Sequence, residues 1–567
     1  MGVCALASHG QTVPVPLPVP PPPPPVTPPP GAVPQPVELL QRALPERSGD
    51  AKVPDAPVAR ELGKPSDELT LDVTAYSVDE SAPAPLRAAL PALTQRFTGT
   101  GRSYEDIVNA ASAVTRYLQR ELGYYLGYAY LPEQTPANGV IRIAVLEGRL
   151  DEVILNWPDK MLVDRSVVEA YLARLKPGEI LRVRDVERIV FLVNDLRGLT
   201  ARFEVKAGRT PGTASLVVTA QPEERFASRV EVDSLGSRYS GVWRANVQGT
   251  MASPAGRGDG LVVNALSSFT RGLEFVLAGY TLPVGSDGLK VGISASYVYY
   301  KLDEKLLDVS LSGDATAVTL YSLYPVVRSR NLNLFGLVSI DSKRFNDKLF
   351  GTTQKKTSND LQLSVSGDAR DDLLSGGVNT FELVALRGKL NTAQQAGNGN
   401  PPSFTVARFN GSRLQNLISN RLLLLTSIKG QYAFDNLDNT EQFQLGGPDR
   451  VRAFGPGEGT GDSGVVASIE LRYLPPEEWF GRISRELVFS AFYDIGTIRF
   501  RHKPTDQDLQ QEDFVNRSTL QGVGIGAVWD RPRDFSARLS LAFPISGKAV
   551  NDVKKTPRIY FIANKTF

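Results

Sequence analysis

An α+β section followed by an all-β section, the latter closing as a transmembrane barrel of roughly sixteen antiparallel strands, is the architecture this sequence predicts. Three observations carry it. Helical periodicity is present between about residue 69 and residue 222 and vanishes after Phe226, from where strand pattern follows strand pattern to Phe567. Within those strands one face is apolar and the other polar: Leu289, Val291, Ile293, Ala295, Tyr297 and Tyr299 alternate with Lys290, Gly292, Ser294 and Ser296. The connections alternate between tight turns, such as Gly285-Ser-Asp-Gly288, and long polar or Gly-rich excursions at 391–402, 435–464 and 500–517, as short turns at one membrane surface and long loops at the other require. Alternation alone also fits a soluble sandwich. The even strand count and the asymmetry of the connections favour the barrel.

Composition removes several function classes. In 567 residues, 63 Lys plus Arg balance 61 Asp plus Glu, so nothing points to nucleic acid. Cys4 is the sole cysteine and His9 and His502 the sole histidines, so no disulfide, zinc site or His-dependent centre is expected, and no cofactor. No run of eighteen apolar residues occurs, which excludes a spanning helix but not spanning strands, since each of those needs only about ten residues of alternating polarity.

Taken in order, residues 1–67 read as a Pro-rich linker, with an unbroken proline run at Pro20–Pro25 that favours extended polyproline II. Ala5-Leu-Ala7 has the look of a leader's end, and a plain tail is the other reading. A short helical pattern at Val37–Arg47 is read as a capped linker segment, with a pore-plugging helix as the alternative. Residues 68–152 form a first α+β unit: a strand at Leu69–Tyr76, helices at Pro85–Phe97 and Tyr104–Tyr124, and strands at Tyr125–Leu131 and Gly139–Leu146. Ile107, Ala111, Val114, Leu118 and Leu122 give the long helix one apolar face. Residues 153–224 repeat the plan, with helices near Arg165–Leu175 and Val183–Asn194 and strands at Ala201–Lys206 and Ala214–Thr219. Residues 225–567 are the barrel.

In the first unit, Tyr130, Pro132 and Gln134 of Tyr-Leu-Pro-Glu-Gln, together with Glu147-Gly148, resemble the polypeptide-transport-associated (POTRA) domain of two-partner secretion transporters. The second unit, with Val186-Glu-Arg188, Asn194-Asp195 and Gly198, resembles the POTRA domain that follows it in that family.

The long loop at 435–464 is the richest in chemistry. Gly461-Asp-Ser463-Gly464 looks like a serine-protease nucleophile motif, but Val465 follows it and no histidine stands where a base is needed. A phosphate loop fails too, for want of a Gly-Lys-Ser/Thr ending. What survives is a pair of motifs. Val451-Arg452-Ala453-Phe454 resembles the tip of the sixth extracellular loop in the Omp85 superfamily of barrel-assembly factors and two-partner secretion (TpsB) transporters, with Ala453 standing where the pattern has glycine. Phe492-Tyr-Asp494-Ile-Gly496 resembles that superfamily's motif on the thirteenth strand, and counting back from Phe567 places Leu487–Phe500 thirteenth of sixteen. An ionised carboxylate against lipid is very costly, so Asp494 is expected to face the lumen with Ser490, Phe492 and Gly496. No residue offers a convincing catalytic role, so no enzyme is expected. Lumen charges such as Lys429 and Arg538 are read as lining.

The resemblance, to the ShlB/FhaC/HecB haemolysin secretion/activation type, covers residues from about 69 to 567. It implies two POTRA domains, a sixteen-stranded barrel and a sixth loop folded inwards, with Arg452 bonded to Asp494 by a charge-assisted pair. It implies a Gram-negative outer-membrane transporter with periplasmic POTRA domains that bind an unfolded TpsA-type exoprotein and pass it through the barrel. That cargo could be an adhesin, a cytolysin or a haem-scavenging protein. Lipid and the outer-membrane assembly machinery are the other expected partners, the latter reading the terminal aromatic Phe567, and the chain is expected to be a monomer. The alternatives are a barrel-assembly factor, which generally carries more POTRA domains, and a diffusion porin, which has no need of them.

Overall fold

The computed structural model describes residues 70–210, 212–307, 311–349, 352–392, 401–418, 421–504, 506–509, 515–532, 534–548 and 557–567. The linker at 1–67, with its leader-like stretch and the helical pattern at Val37–Arg47, lies outside the described residues.

In the first unit, helix Ala84–Thr94 and helix Tyr104–Arg120 pack on one side of a small sheet. The second helix begins on a capping box, in which the Ser103 hydroxyl accepts from the Asp106 N–H while the Asp106 carboxylate accepts from the Ser103 N–H. It ends before the expected Tyr124, where Gly123 takes a positive φ of 67°. Ile107, Ala111, Val114 and Leu118 are buried, as their spacing requires. Strand Val140–Arg142 pairs in parallel with Ala75–Ser77, and its continuation Ala144–Leu146 pairs antiparallel with Tyr128–Tyr130. A further strand, Gly99–Ser103, pairs with Thr70–Val73. Its sequence, Gly-Thr-Gly-Arg-Ser, has no apolar alternation by which to announce itself.

The second unit repeats this topology. Its last strand, Thr213–Pro222, is central, parallel to Arg149–Asn156 on one side and antiparallel to Leu199–Ala207 on the other. Register begins at Arg149↔Thr213, so strand Arg149–Asn156, which runs across the boundary expected after residue 152, pairs within the second sheet. Gly148 has φ +70°, and a Cβ there would come within 2.5 Å of the Leu126 Cβ. This close approach joins the two units: the Leu181 N–H donates to the Gly148 carbonyl and the Tyr125 N–H to the Leu181 carbonyl.

From Phe226 the chain forms a closed barrel of sixteen strands, each antiparallel to its neighbours. It closes where Phe226–Asp233 meets Arg558–Thr566, in register from Arg229↔Thr566 to Asp233↔Ile562. The burial pattern is the reverse of a water-soluble protein's. Val291, Ile293 and Tyr297 point outwards at 37, 48 and 46 % exposure, while Lys290, Ser294 and Ser296 are buried in the interior. An apolar exterior of this kind is stable only in lipid, where a lysine or arginine at mid-depth costs about 2–4 kcal/mol.

The second α+β unit docks on one end of the barrel. Asp195, at the C-terminus of helix Val183–Asn194, receives two bonds from Arg328 (Nε to Oδ2 2.9 Å, Nη2 to Oδ1 2.7 Å), and its carbonyl accepts from Lys290 Nζ at 2.9 Å. Arg328 also lies over the Phe191 ring, 4.7 Å from its centroid. Arg188 donates to the Pro325 carbonyl and, with Arg174, holds Asp287 in the turn between the fourth and fifth strands. Burial alone would lift the Asp287 carboxyl, but hydrogen bonds from Tyr324 and Arg188 and the charge of Arg174 outweigh it and hold the group below its ordinary value.

Candidate functional site

The site is the meeting of the connection between the eleventh and twelfth strands, residues 434–462, with the lumen wall. This connection leaves the barrel at the end away from the α+β units and then turns inwards. Phe443–Gln444 pairs with Thr460–Gly461 to make a narrow neck, and Gly446 bridges to Val451 to close the tip. Val451, Ala453 and Phe454 are buried in one cluster with Leu445, Val466, Phe492, Ile498, Leu520 and Ala542, most of them wall residues. The tip is therefore held first by apolar packing. Space for it comes from small residues on the wall: a Cβ on Gly496 would meet Val466, Leu445 and Val451 at 2.9–3.0 Å, and one on Gly522 would meet the Ala453 Cβ at 2.5 Å.

Within this apolar surround sits the charged pair. Arg452 Nε donates to Asp494 Oδ2 at 2.9 Å and Nη2 to Oδ1 at 2.8 Å, a bidentate pair, and the Arg452 backbone N–H adds a third bond to Oδ2 at 3.1 Å. Asp494 lies on the thirteenth strand, Leu487–Arg499, with its side chain fully buried and facing the lumen, as the period-two register requires. Ser468 bridges the pair, accepting from Arg452 Nη2 at 3.0 Å and donating to Asp494 Oδ1 at 2.7 Å. Glu470 accepts from Arg452 Nη1 at 2.7 Å and from Arg472 Nε at 2.8 Å. The guanidinium lies 3.3 Å from the centroid of the Phe492 ring. The structure thus brings Val451, Arg452, Ala453 and Phe454 together with Phe492, Asp494 and Gly496. Ala453 is not among the positive-φ residues, so the tip needs no glycine there.

Several partners of this loop were not legible beforehand. Lys343, on the seventh strand, donates to Glu441 of the loop at 2.8 Å and lies 2.8 Å from Asp360, while Arg408 Nη2 reaches Glu441 at 2.9 Å. Lys356 holds Asp438 at 3.0 Å. Lys429, expected to be plain lining, is bonded to Asp449 of the loop at 2.8 Å. The loop is thereby tied to strands on both sides of the lumen. Ser463, the residue of the protease-like motif, accepts from the Ala433 N–H at 3.0 Å.

The POTRA motif residues lie far from the loop and serve the first sheet. Gln134 copies a strand's backbone: its Oε1 accepts from the Arg142 N–H at 2.7 Å and its Nε2 donates to the Arg142 carbonyl at 2.8 Å, with Pro132 O at 3.3 Å. Tyr130 stacks on Tyr128, and Glu147 pairs with Arg149 at 2.6 Å across Gly148. Thr115 bonds both backbone groups of Ala129, so that sheet edge is capped. At the chain's end, Phe567 exchanges backbone bonds with Ser228 of the first strand (2.8 and 3.1 Å), and Lys565 pairs with Asp534 beneath the Phe567 ring.

A lipid-facing sixteen-stranded barrel with a loop anchored in its lumen and two POTRA-plan units at one end defines the class of outer-membrane POTRA-barrel transporters. Comparison with known families sharpens this. Residues 212–528 match the haemolysin secretion/activation protein family ShlB/FhaC/HecB, and residues 71–148 match the ShlB-type POTRA domain. The chain belongs to that haemolysin secretion/activation family. The heme/hemopexin transporter protein HuxB of Haemophilus influenzae (strain 86-028NP) is 26 % identical over 81 % of each chain. The outer membrane transporter CdiB of Dickeya dadantii (strain 3937) is 25 % identical over 80 % of this chain and 79 % of its own. In structure, CdiB from Escherichia coli superposes with a TM-score of 0.69 at 20 % identity, covering 94 % of this chain and 97 % of that one. BamA from Haemophilus ducreyi lacking POTRA domains 1-3 superposes with a TM-score of 0.52 at 14 % identity, over 88 % of this chain and all of that one. The family is one of transporters. This chain is an outer-membrane two-partner secretion transporter, its barrel in the membrane and its POTRA domains in the periplasm.

Proposed function

We propose that the second POTRA domain takes up an extended segment of the secreted exoprotein on the edge strand Leu199–Ala207, and that the loop held by Arg452 and Asp494 shapes the lumen through which the chain then passes. One observation supports the choice of edge. The first POTRA sheet is capped at Tyr128–Tyr130 by Thr115, whereas on the second sheet Asn194 caps only Ala201, bonding its N–H at 2.8 Å and its carbonyl at 3.1 Å. By the period of two, the backbone groups of Phe203 and Val205 point the same way as those of Ala201 and await a partner strand. Lipid surrounds the barrel, and the closed sheet leaves no strand edge for edge-to-edge pairing with a second copy. A Val205→Pro variant tests the uptake edge. Proline removes the outward N–H and spares the ladder to Thr213–Pro222. Exoprotein secretion should fall sharply while barrel assembly and single-channel conductance stay normal. Secretion at the parental level would defeat the assignment of the edge.

A further inference from the structure

Between the twelfth strand, Ser463–Tyr473, and the thirteenth, the chain runs through two short helical turns, Glu477–Phe480 and Gly481–Glu486. Trp479, Phe480 and Ile483 are 62, 46 and 45 % exposed there. They continue a surface that already faces lipid. Tyr473 and Phe489 stand opposite each other in the register, at the outward positions that also hold Ile469 and Leu471. The Trp479 ring packs on Tyr473 with centroids 5.8 Å apart, and Phe480 packs on Phe489 at 5.9 Å. The next hairpin adds Trp529 and Phe535, edge to face at 4.7 Å, and the Trp529 indole donates to Glu486 at 2.8 Å. The turn thus folds outwards over the lipid face, at the barrel end where the second POTRA domain docks, but under different strands.

We propose that residues 474–486 form a keel in the periplasmic leaflet, its partner being phospholipid. Trp479, Phe480 and Ile483 sit at the depth of the acyl-chain carbonyls, where amphipathic aromatics are most stable, and the Arg482 guanidinium bonds a headgroup phosphate. Arg482 is exposed and has no ion pair among the described residues, whereas Arg485 is occupied by Glu477, and Glu486 by Trp529 and Arg531. Glu478, also exposed, is repelled by the same phosphates, so apolar insertion dominates and the net charge of the lipid matters little. The keel is the tip of the hairpin that carries Ser468, Glu470, Phe492 and Asp494. Fixing its depth in the leaflet fixes the wall to which Arg452 is bonded.

The test uses the full chain in phosphatidylcholine nanodiscs. The emission of Trp479 is taken as the difference between the parental protein and Trp479→Phe. Phosphatidylcholine brominated on the upper acyl chain should abolish most of it, and aqueous acrylamide should quench little. Quenching by acrylamide without quenching by bromolipid would overturn the keel, as would protection that arises only on adding exoprotein or on raising the protein concentration, which would assign the surface to cargo or to a second copy. Arg482→Gln leaves the apolar side chains in place. It should keep the bromolipid quenching and weaken phospholipid retention after detergent exchange by about fivefold, and unchanged retention would remove the phosphate contact.

Discussion

Arg452→Ala perturbs a carboxylate that has nowhere to go. Asp494 is fully buried and accepts from the Arg452 N–H, Nε and Nη2 and from the Ser468 hydroxyl. Without the guanidinium only the backbone N–H and the hydroxyl remain, and a buried charge stripped of its partner costs about 3–5 kcal/mol, against about 0–1 kcal/mol for an exposed pair. Glu470 is spared that cost because Arg472 still holds it. Asp494→Ala strands the arginine in the same way, though Glu470 softens the loss. The double variant removes both charges, so it should be little worse than either single change, with a coupling of about 2–3 kcal/mol. Arg452→Lys keeps the charge but not the two-pronged geometry, and should restore only part of the loss. Three measurements check this: the thermal midpoint of the barrel in detergent, tryptic cleavage of the loop at Arg450, and secretion in cells. Single-variant losses that add to within about 0.5 kcal/mol, or a loop still protected from trypsin in Arg452→Ala, would refute the reasoning.

Three further outcomes are expected. Ala453→Gly, which places the family's residue at the tip, should lower stability by about 0.5–1 kcal/mol, because the position needs no positive φ and glycine adds only unfolded-state freedom; differential melting would show it. Gly522→Val should displace the tip, since even a Cβ would lie 2.5 Å from that of Ala453, and protease access to the loop reports it. At the POTRA junction Asp287 sets a pH dependence: its folded-state pKa lies below the ordinary 3.8, so its contribution is complete above that value and is lost as pH falls below it. Amide protection in helix Val183–Asn194, that is, exchange corrected for the intrinsic pH dependence of the amides, should therefore be steady from neutral pH down to about pH 4 and fall only in stronger acid, whereas Asp287→Asn should be less protected throughout.

The barrel was legible because its signal is local. A period of two, repeated strand after strand, needs no knowledge of neighbours, and the lipid outside makes any slip of register costly. That logic alone placed Asp494 in the lumen on the thirteenth strand, and the motif around Arg452 named its partner. What escaped was whatever depends on closure. Gly99–Ser103 becomes a strand only because Thr70–Val73 lies beside it. Lys343 and Arg408 look like ordinary lining until the inward fold of the loop sets the Glu441 carboxylate between the seventh and tenth strands. Arg328 and Asp195, 133 residues apart, reveal themselves as a clasp only when the second POTRA domain seats on the rim. By itself, then, the sequence determined which side of the clearly alternating strands meets lipid, since that follows from short-range pattern, while the pairing of Arg452 with Asp494 was an expectation that the resemblance supplied. The tertiary structure alone decided which charges become partners and where the hairpin tip of Trp479 and Phe480 turns, because those contacts exist only once the sheet has closed on itself.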